Sequence, residues 1–194
     1  MTQLSASDLD SLEKYSVIRN EFRQQVMAHK KNRRVTIGKH ATLYFEDATT
    51  IRYQVQEMLR IEKIFEADGI QEELDVYNPL IPDGSNWKAT FMLEYADENE
   101  RKAALAKLKG IDKHIWVQVD DFEKVRPIAN EDLERETEDK TSSVHFMRFE
   151  LDQQMVEKAK AGAPISMGID HPEYQATIEA IDENVRVSLV SDLA

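Results

Sequence analysis

Cysteine is absent from the 194 residues, so the chain can build no disulfide, no thiolate zinc site and no iron–sulfur ligation of its own. A thiol nucleophile is excluded with them. Glycine is scarce and scattered, with six positions, and no Gly-rich loop is available to cradle a phosphate. G-x-G-x-x-G, the Walker loop, H-E-x-x-H, the EF-hand and G-x-S-x-G are all missing, so nucleotide-dependent and triad chemistry are not expected. Glu-x-x-His pairs, which carry di-iron sites on bundle helices, are missing too, and no resident cofactor is expected. No apolar run is long enough to cross a bilayer, and no basic start leads into an apolar stretch, so a cytoplasmic protein is the expectation. Positive charge is also in deficit. The 25 Lys and Arg face 37 Asp and Glu, a net charge of −12 that repels nucleic acid and anionic membrane.

What is present suits a folded chain: 41% apolar residues supply a core, against 32% charged ones. Helical periodicity comes first. Ser5 with Asp8 reads as a capping box, and Tyr15, Ile18, Phe22 and Val26 form one stripe of a long helix. That helix runs out in the basic stretch His29 to Arg34. Two β-rich runs, Val35 to Ile37 and Thr42 to Phe45, flank Gly38 as a hairpin. A second helix is expected from about Ile51 to Ala67, capped by Thr49 or Thr50 and stopped by Gly69.

From Trp87 the period changes to two, with Trp87, Ala89, Phe91 and Leu93 on one face of a strand. Asp97 caps a helix through Leu108. Strands follow at 115–119, 125–128, 143–151, 165–169 and 174–181, with helices at 153–161 and 182–193 between and after them. The pattern predicts a single α+β domain over 1–194, with N-terminal helices and a mainly antiparallel sheet with interleaved short helices. Its helical part covers about 5–77 and its sheet-rich part about 87–194.

The polar residues that draw attention are few. At about 100° per residue, Glu62 falls among Ile51, Val55, Met58 and Phe65 on the apolar arc of the second helix. A carboxylate buried there must be paired with an arginine, hydrogen-bonded, metal-bound or protonated, unless its aliphatic stem carries the head out to water. Arg19 and Arg23 stand one turn apart on the first helix, ready to converge on an anion or on Glu62 or Glu57; Arg60 lies on the opposite side with Glu57. Alternation in 143–151 puts His145 with Met147 and Phe149, and Arg148 and Glu150 with Val144 and Phe146, as in a strand covered on both faces.

These residues admit two readings. Arg19, Arg23, Glu57, Arg60, Glu62, His145, Arg148 and Glu150 form a buried ligand or catalytic site, with His145, Glu62 and Glu150 as metal ligands; or they are structural ion pairs and a satisfied core histidine. Lys30, Lys31, Arg33 and Arg34 complement the carboxyl end of the first helix and make a docking patch for an acidic partner.

Several segments together resemble a known bacterial family: Glu57 to Glu62, Glu73 to Pro82, Lys31 to Val35, Phe45-Glu46, Thr141 to Phe146 and Gly168 to Pro172. That family is a domain of unknown function often encoded beside a rubrerythrin and an iron–sulfur oxidoreductase. The resemblance implies an oxidative-stress or electron-transfer setting with those two proteins as partners, and metals supplied by them. An accessory role in a redox system is the leading expectation, and an enzyme or metal-binding protein with a buried Glu/Arg/His site is the rival.

Overall fold

The structure, a computed structural model, describes residues 3–194. In chain order the elements are α1 (Leu12–Lys31), β1 (Arg34–Ile37), β2 (Ala41–Phe45), α2 (Ala48–Glu62) and α3 (Ala67–Tyr77). Then come β3 (Asn86–Leu93), α4 (Glu98–Lys107), β4 (Ile115–Val119), β5 (Ile128–Ala129) and β6 (Val144–Glu150). The chain closes with α5 (Gln153–Lys160), β7 (Ile165–His171), β8 (Tyr174–Ile178) and α6 (Glu183–Val190). Two antiparallel sheets result, one in the order β1-β2-β3-β6-β5 and one in the order β4-β7-β8. The fold class is therefore α+β. No helix among the described residues is long and apolar enough to cross a membrane.

Period-two alternation decides which side of each strand is dry. Trp87, Ala89, Phe91 and Leu93 of β3 are all buried, and β6 buries His145, Met147 and Phe149 beside them. These join Val117, Ile165, Met167 and Ile169 of the second sheet, with Met155 of α5 and Leu189 of α6, in one hydrophobic core. A smaller apolar cluster of Ile51, Val55, Leu59, Leu74 and Ile81 holds α2 and α3 together. The opposite side of the five-stranded sheet carries Tyr44, Met92, Val144 and Phe146, only partly covered.

Tyr174 of β8 ties the sheets to each other. Its hydroxyl donates to the Ile37 carbonyl at 2.8 Å and accepts from the His40 and Ala41 amides at 2.9 and 3.2 Å. Gly38, at φ +74°, passes so close that a Cβ there would sit 2.8 Å from the same hydroxyl oxygen. Both the left-handed turn and the crowding call for glycine at that position.

Several boundaries differ from the sequence reading. Ser5 and Asp8 close a single 3₁₀ turn, and α1 starts later on its own cap, Ser11, whose hydroxyl accepts from the Lys14 amide at 3.3 Å. Asp47, not Thr49 or Thr50, caps α2, accepting from the Thr50 amide at 2.8 Å while the Thr50 hydroxyl oxygen accepts from the Asp47 amide at 3.0 Å. The second helix ends early because Lys63 turns left-handed, at φ 55°; Gly69 then lies inside α3 rather than beyond a helix end. Asp97 does cap α4, by accepting from the Glu100 amide at 2.8 Å. Residues 125–128 shrink to an isolated bridge at Val125 and the two-residue β5.

Candidate functional site

The eight polar residues singled out above fall into separate groups that share no member. On α1 and α2, Arg19 grips Glu57 with both forks, at 2.7 and 2.8 Å, and the buried Tyr15 hydroxyl donates to the same carboxylate at 2.7 Å. Arg60 adds a longer contact of 3.3 Å. Two oxygens taking four bonds leave Glu57 little capacity for a ligand. The Arg19 guanidinium holds the Glu57 carboxyl down to about 2, and burial beside that carboxylate pushes the Tyr15 hydroxyl up. Arg23, one turn on, is exposed and takes no part in this lock.

Glu62 is exposed, which corrects its place in a buried site and leaves its head in water. The helical projection gives its azimuth but not its height. Ile51, Val55 and Leu59 are covered along that arc, but Glu62 is the last residue of α2 and Ile61 and Phe65 beside it are 61% and 63% exposed. The apolar arc outruns the elements that pack on it.

His145 is buried and satisfied. Its Nε2 lies 3.0 Å from the Ser142 carbonyl and its Nδ1 is 3.0 Å from the Asn130 amide nitrogen, an arrangement that fits a neutral ring with the proton on Nε2. Burial pushes its pKa down. Arg148 faces the other side of β6, bridging Glu131 and Glu150, while Asn86 donates to Glu150 at 2.9 Å. His145 and Glu150 therefore point to opposite faces of one strand. Among the described residues no three His, Asp or Glu side chains gather as a metal would require.

The basic run divides as well. Lys30, Lys31, Arg33 and Arg34 all line an open groove of about 1240 Å³, but Arg33 does so from beneath, being 1% exposed with its guanidinium turned to partners in the interior. This overturns its place in a surface patch. Its guanidinium bonds the carbonyls of Phe45 and Glu46 at 3.1 and 3.0 Å, meets both oxygens of the buried Asp192, and lies 3.4 Å from Asp47. His29 closes the group against Asp47 at 2.5 Å. Burial, helped by the like charge of Asp47, pushes Asp192 up to about 6 in spite of Arg33.

The groove runs along the half-covered side of the five-stranded sheet. Met92, Val144 and Phe146 give it an apolar floor, and Tyr77 at the end of α3 and Leu80 after it contribute a wall. Glu46, Thr50 and Thr90 add a polar corner. Lys30, Lys31 and Arg34 have no carboxylate within 4.0 Å among the described residues, unlike Arg19, Arg33 and Arg148. Sequence reasoning found the three cations but not the groove, whose walls come from residues far apart in the chain. None of the eight residues of the buried-site reading lines it.

A two-sheet α+β protein with a cation-rimmed groove is thus what fold and surface define. The chain belongs to the DUF3501 family, described as proteins of unknown function, and matches it over residues 3–193. It is similar to a protein of unknown function from Burkholderia pseudomallei known from its crystal structure: 54% identity, all of both chains covered, and a TM-score of 0.94. No curated protein matches the chain.

The Arg19–Glu57 lock makes a direct prediction. Glu57→Gln should lower the unfolding free energy at neutral pH by about 1–3 kcal/mol, the scale of hydrogen bonds to a charged group. Because the folded carboxyl lies near 2 against an ordinary 4.5, its contribution is complete above that ordinary value and fades as pH falls toward 2. Urea titrations of both proteins between those limits should converge at the acid end. A gap that is constant with pH would show that the charge of Glu57 plays no part.

Proposed function

We propose that the protein is a non-catalytic accessory protein of a redox or oxidative-stress system in the cytoplasm, which binds an acidic protein surface in the groove. One observation carries the reading: three cations with no carboxylate partner among the described residues rim an open, partly apolar groove on a chain of net charge −12. Such local complementarity steers association of a partner that the overall field would repel. The groove exceeds the usual few hundred to about 1,000 Å³ of small-molecule pockets, and its openness suits a protein segment. Family resemblance supplies the partner class, a rubrerythrin or an iron–sulfur oxidoreductase. The same net charge argues against nucleic acid as the occupant.

Light-scattering and calorimetric titration with the rubrerythrin encoded nearest the gene tests this. Binding is expected at low ionic strength, weakening as salt rises through the Debye range. Lys30→Glu with Lys31→Glu and Arg34→Glu should slow association at least tenfold while leaving the melting temperature within a few degrees. Binding that ignores salt and the triple substitution would sink the groove as the docking surface, and no binding to either redox protein would sink the partner class.

A further inference from the structure

Two carboxylates line this groove, the half-buried Glu46 and the exposed Asp182; Glu46 is the one held by side-chain partners, and its charge has no counter-ion. Its Oε2 accepts from the Thr50 hydroxyl at 2.6 Å and its Oε1 from the Thr90 hydroxyl at 3.0 Å, both threonines being buried. No Lys, Arg or His among the described residues comes within 4.0 Å of it; the pairs that form elsewhere leave it out. The Arg33 guanidinium reaches the Glu46 backbone carbonyl, not its carboxylate, and is already shared by Asp192 and Asp47. Two hydroxyls do not require a carboxylate, since a glutamine amide would accept from one with its oxygen and donate to the other with its nitrogen. The charge is therefore surplus to the fold, held rigidly by buried partners, with part of its acceptor capacity unused.

We propose that Glu46 is a cation-accepting subsite, which takes an arginine or lysine side chain of the segment docked in the groove. The inference rests on the groove as a docking surface and adds the partner's chemistry. A bound segment presents one basic side chain to Glu46, apolar neighbours to Met92 and Phe146, and acidic flanks to Lys30, Lys31 and Arg34. The isolated chain keeps Lys30, Lys31 and Arg34 at the rim and Glu46 in the corner. Specificity follows from this division: a purely acidic segment meets the rim but places nothing on Glu46, and a purely basic one is repelled by the rim.

The test uses two peptides on the full chain, acetyl-Glu-Leu-Arg-Leu-Glu-amide and the same peptide with citrulline, its neutral isostere, at the centre. Calorimetry at low salt should give at least tenfold tighter binding for the arginine peptide. Glu46→Gln should erase that preference. In the unsubstituted protein, the Glu46 carboxyl carbon resonance should move on adding the arginine peptide and stay in place with the citrulline one, a readout that needs no variant to fold. Equal binding of both peptides, binding of neither, or a preference that survives Glu46→Gln would each overturn the subsite. The two proposals fail separately. A rubrerythrin that does not bind while the peptides are discriminated removes that partner alone, and a rubrerythrin that binds Glu46→Gln unchanged removes the subsite alone.

Discussion

Arg33→Ala should cost the fold about 3–5 kcal/mol, the range for breaking a buried ion pair, measured as the loss of unfolding free energy in urea. The side chain is 1% exposed and joins three parts of the chain: the end of β2 through the Phe45 and Glu46 carbonyls, the α2 cap through Asp47, and the C-terminal segment through Ser188 and Asp192. Its removal strands those acceptors and leaves a cavity. Asp192 then takes up a proton, which limits the penalty. Replacing both partners, Arg33→Met with Asp192→Leu, should recover at least half of the loss, because a buried pair exchanged for apolar groups of similar volume is close to neutral.

The same cluster has its own pH signature, opposite in sign to that of Glu57. Asp192 titrates near 6 in the folded chain against an ordinary 3.8. The folded state therefore holds the proton to higher pH, so this group supports folding most at and below its ordinary value, and the support is lost as pH rises through about 6. Asp192→Asn should flatten the stability profile over that interval and leave the acid limb, set by Glu57, in place. A profile unchanged between pH 4 and 6 would remove Asp192 as a titrating group.

How far the sequence speaks for the structure depends on how local the governing contact is. The alternation of Trp87, Ala89, Phe91 and Leu93 specifies which face of the strand meets the hydrophobic core, because the pleat alone assigns its faces. The stripe of Tyr15 to Val26 and the Asp97 cap are equally local, and they appear in the structure. Arg33 is the opposite case. Within Lys30-Lys31-Asn32-Arg33-Arg34 nothing distinguishes it from its neighbours, and its burial is decided by Asp192, 159 positions away. Glu62 misleads for a geometric reason, since a helical projection carries no information about where the neighbouring elements stop. The spacing of Arg19 points to α2, but only the Tyr15 hydroxyl that completes the lock selects Glu57 over Glu62. The groove was invisible altogether, being the space left between a sheet face and elements joined to it only through tertiary contacts.

Trp87→Ala should be comparably severe, at about 3–5 kcal/mol, because a large core side chain is replaced by a cavity. Trp87 is fully buried in β3, and its indole N–H donates to the Leu189 carbonyl of α6 at 2.8 Å. That bond and the Arg33–Asp192 pair hold the same short stretch, 188–192, from two directions, while the buried Val185 and Leu189 supply the apolar contact. Two anchors on one segment cannot be independent. Once either releases the stretch, the other has less to hold, so their losses should fall short of additivity by about 0.5–3 kcal/mol. The gentler cycle of Trp87→Phe with Arg33→Met measures this without emptying the core. Strict additivity there would mean that Val185 and Leu189 keep α6 seated by themselves, and that the polar anchors only fix its end. A deficit would make the C-terminal helix the cooperative clasp between the two sheets and the α1–β1 junction, and would explain why an arginine is buried there at all.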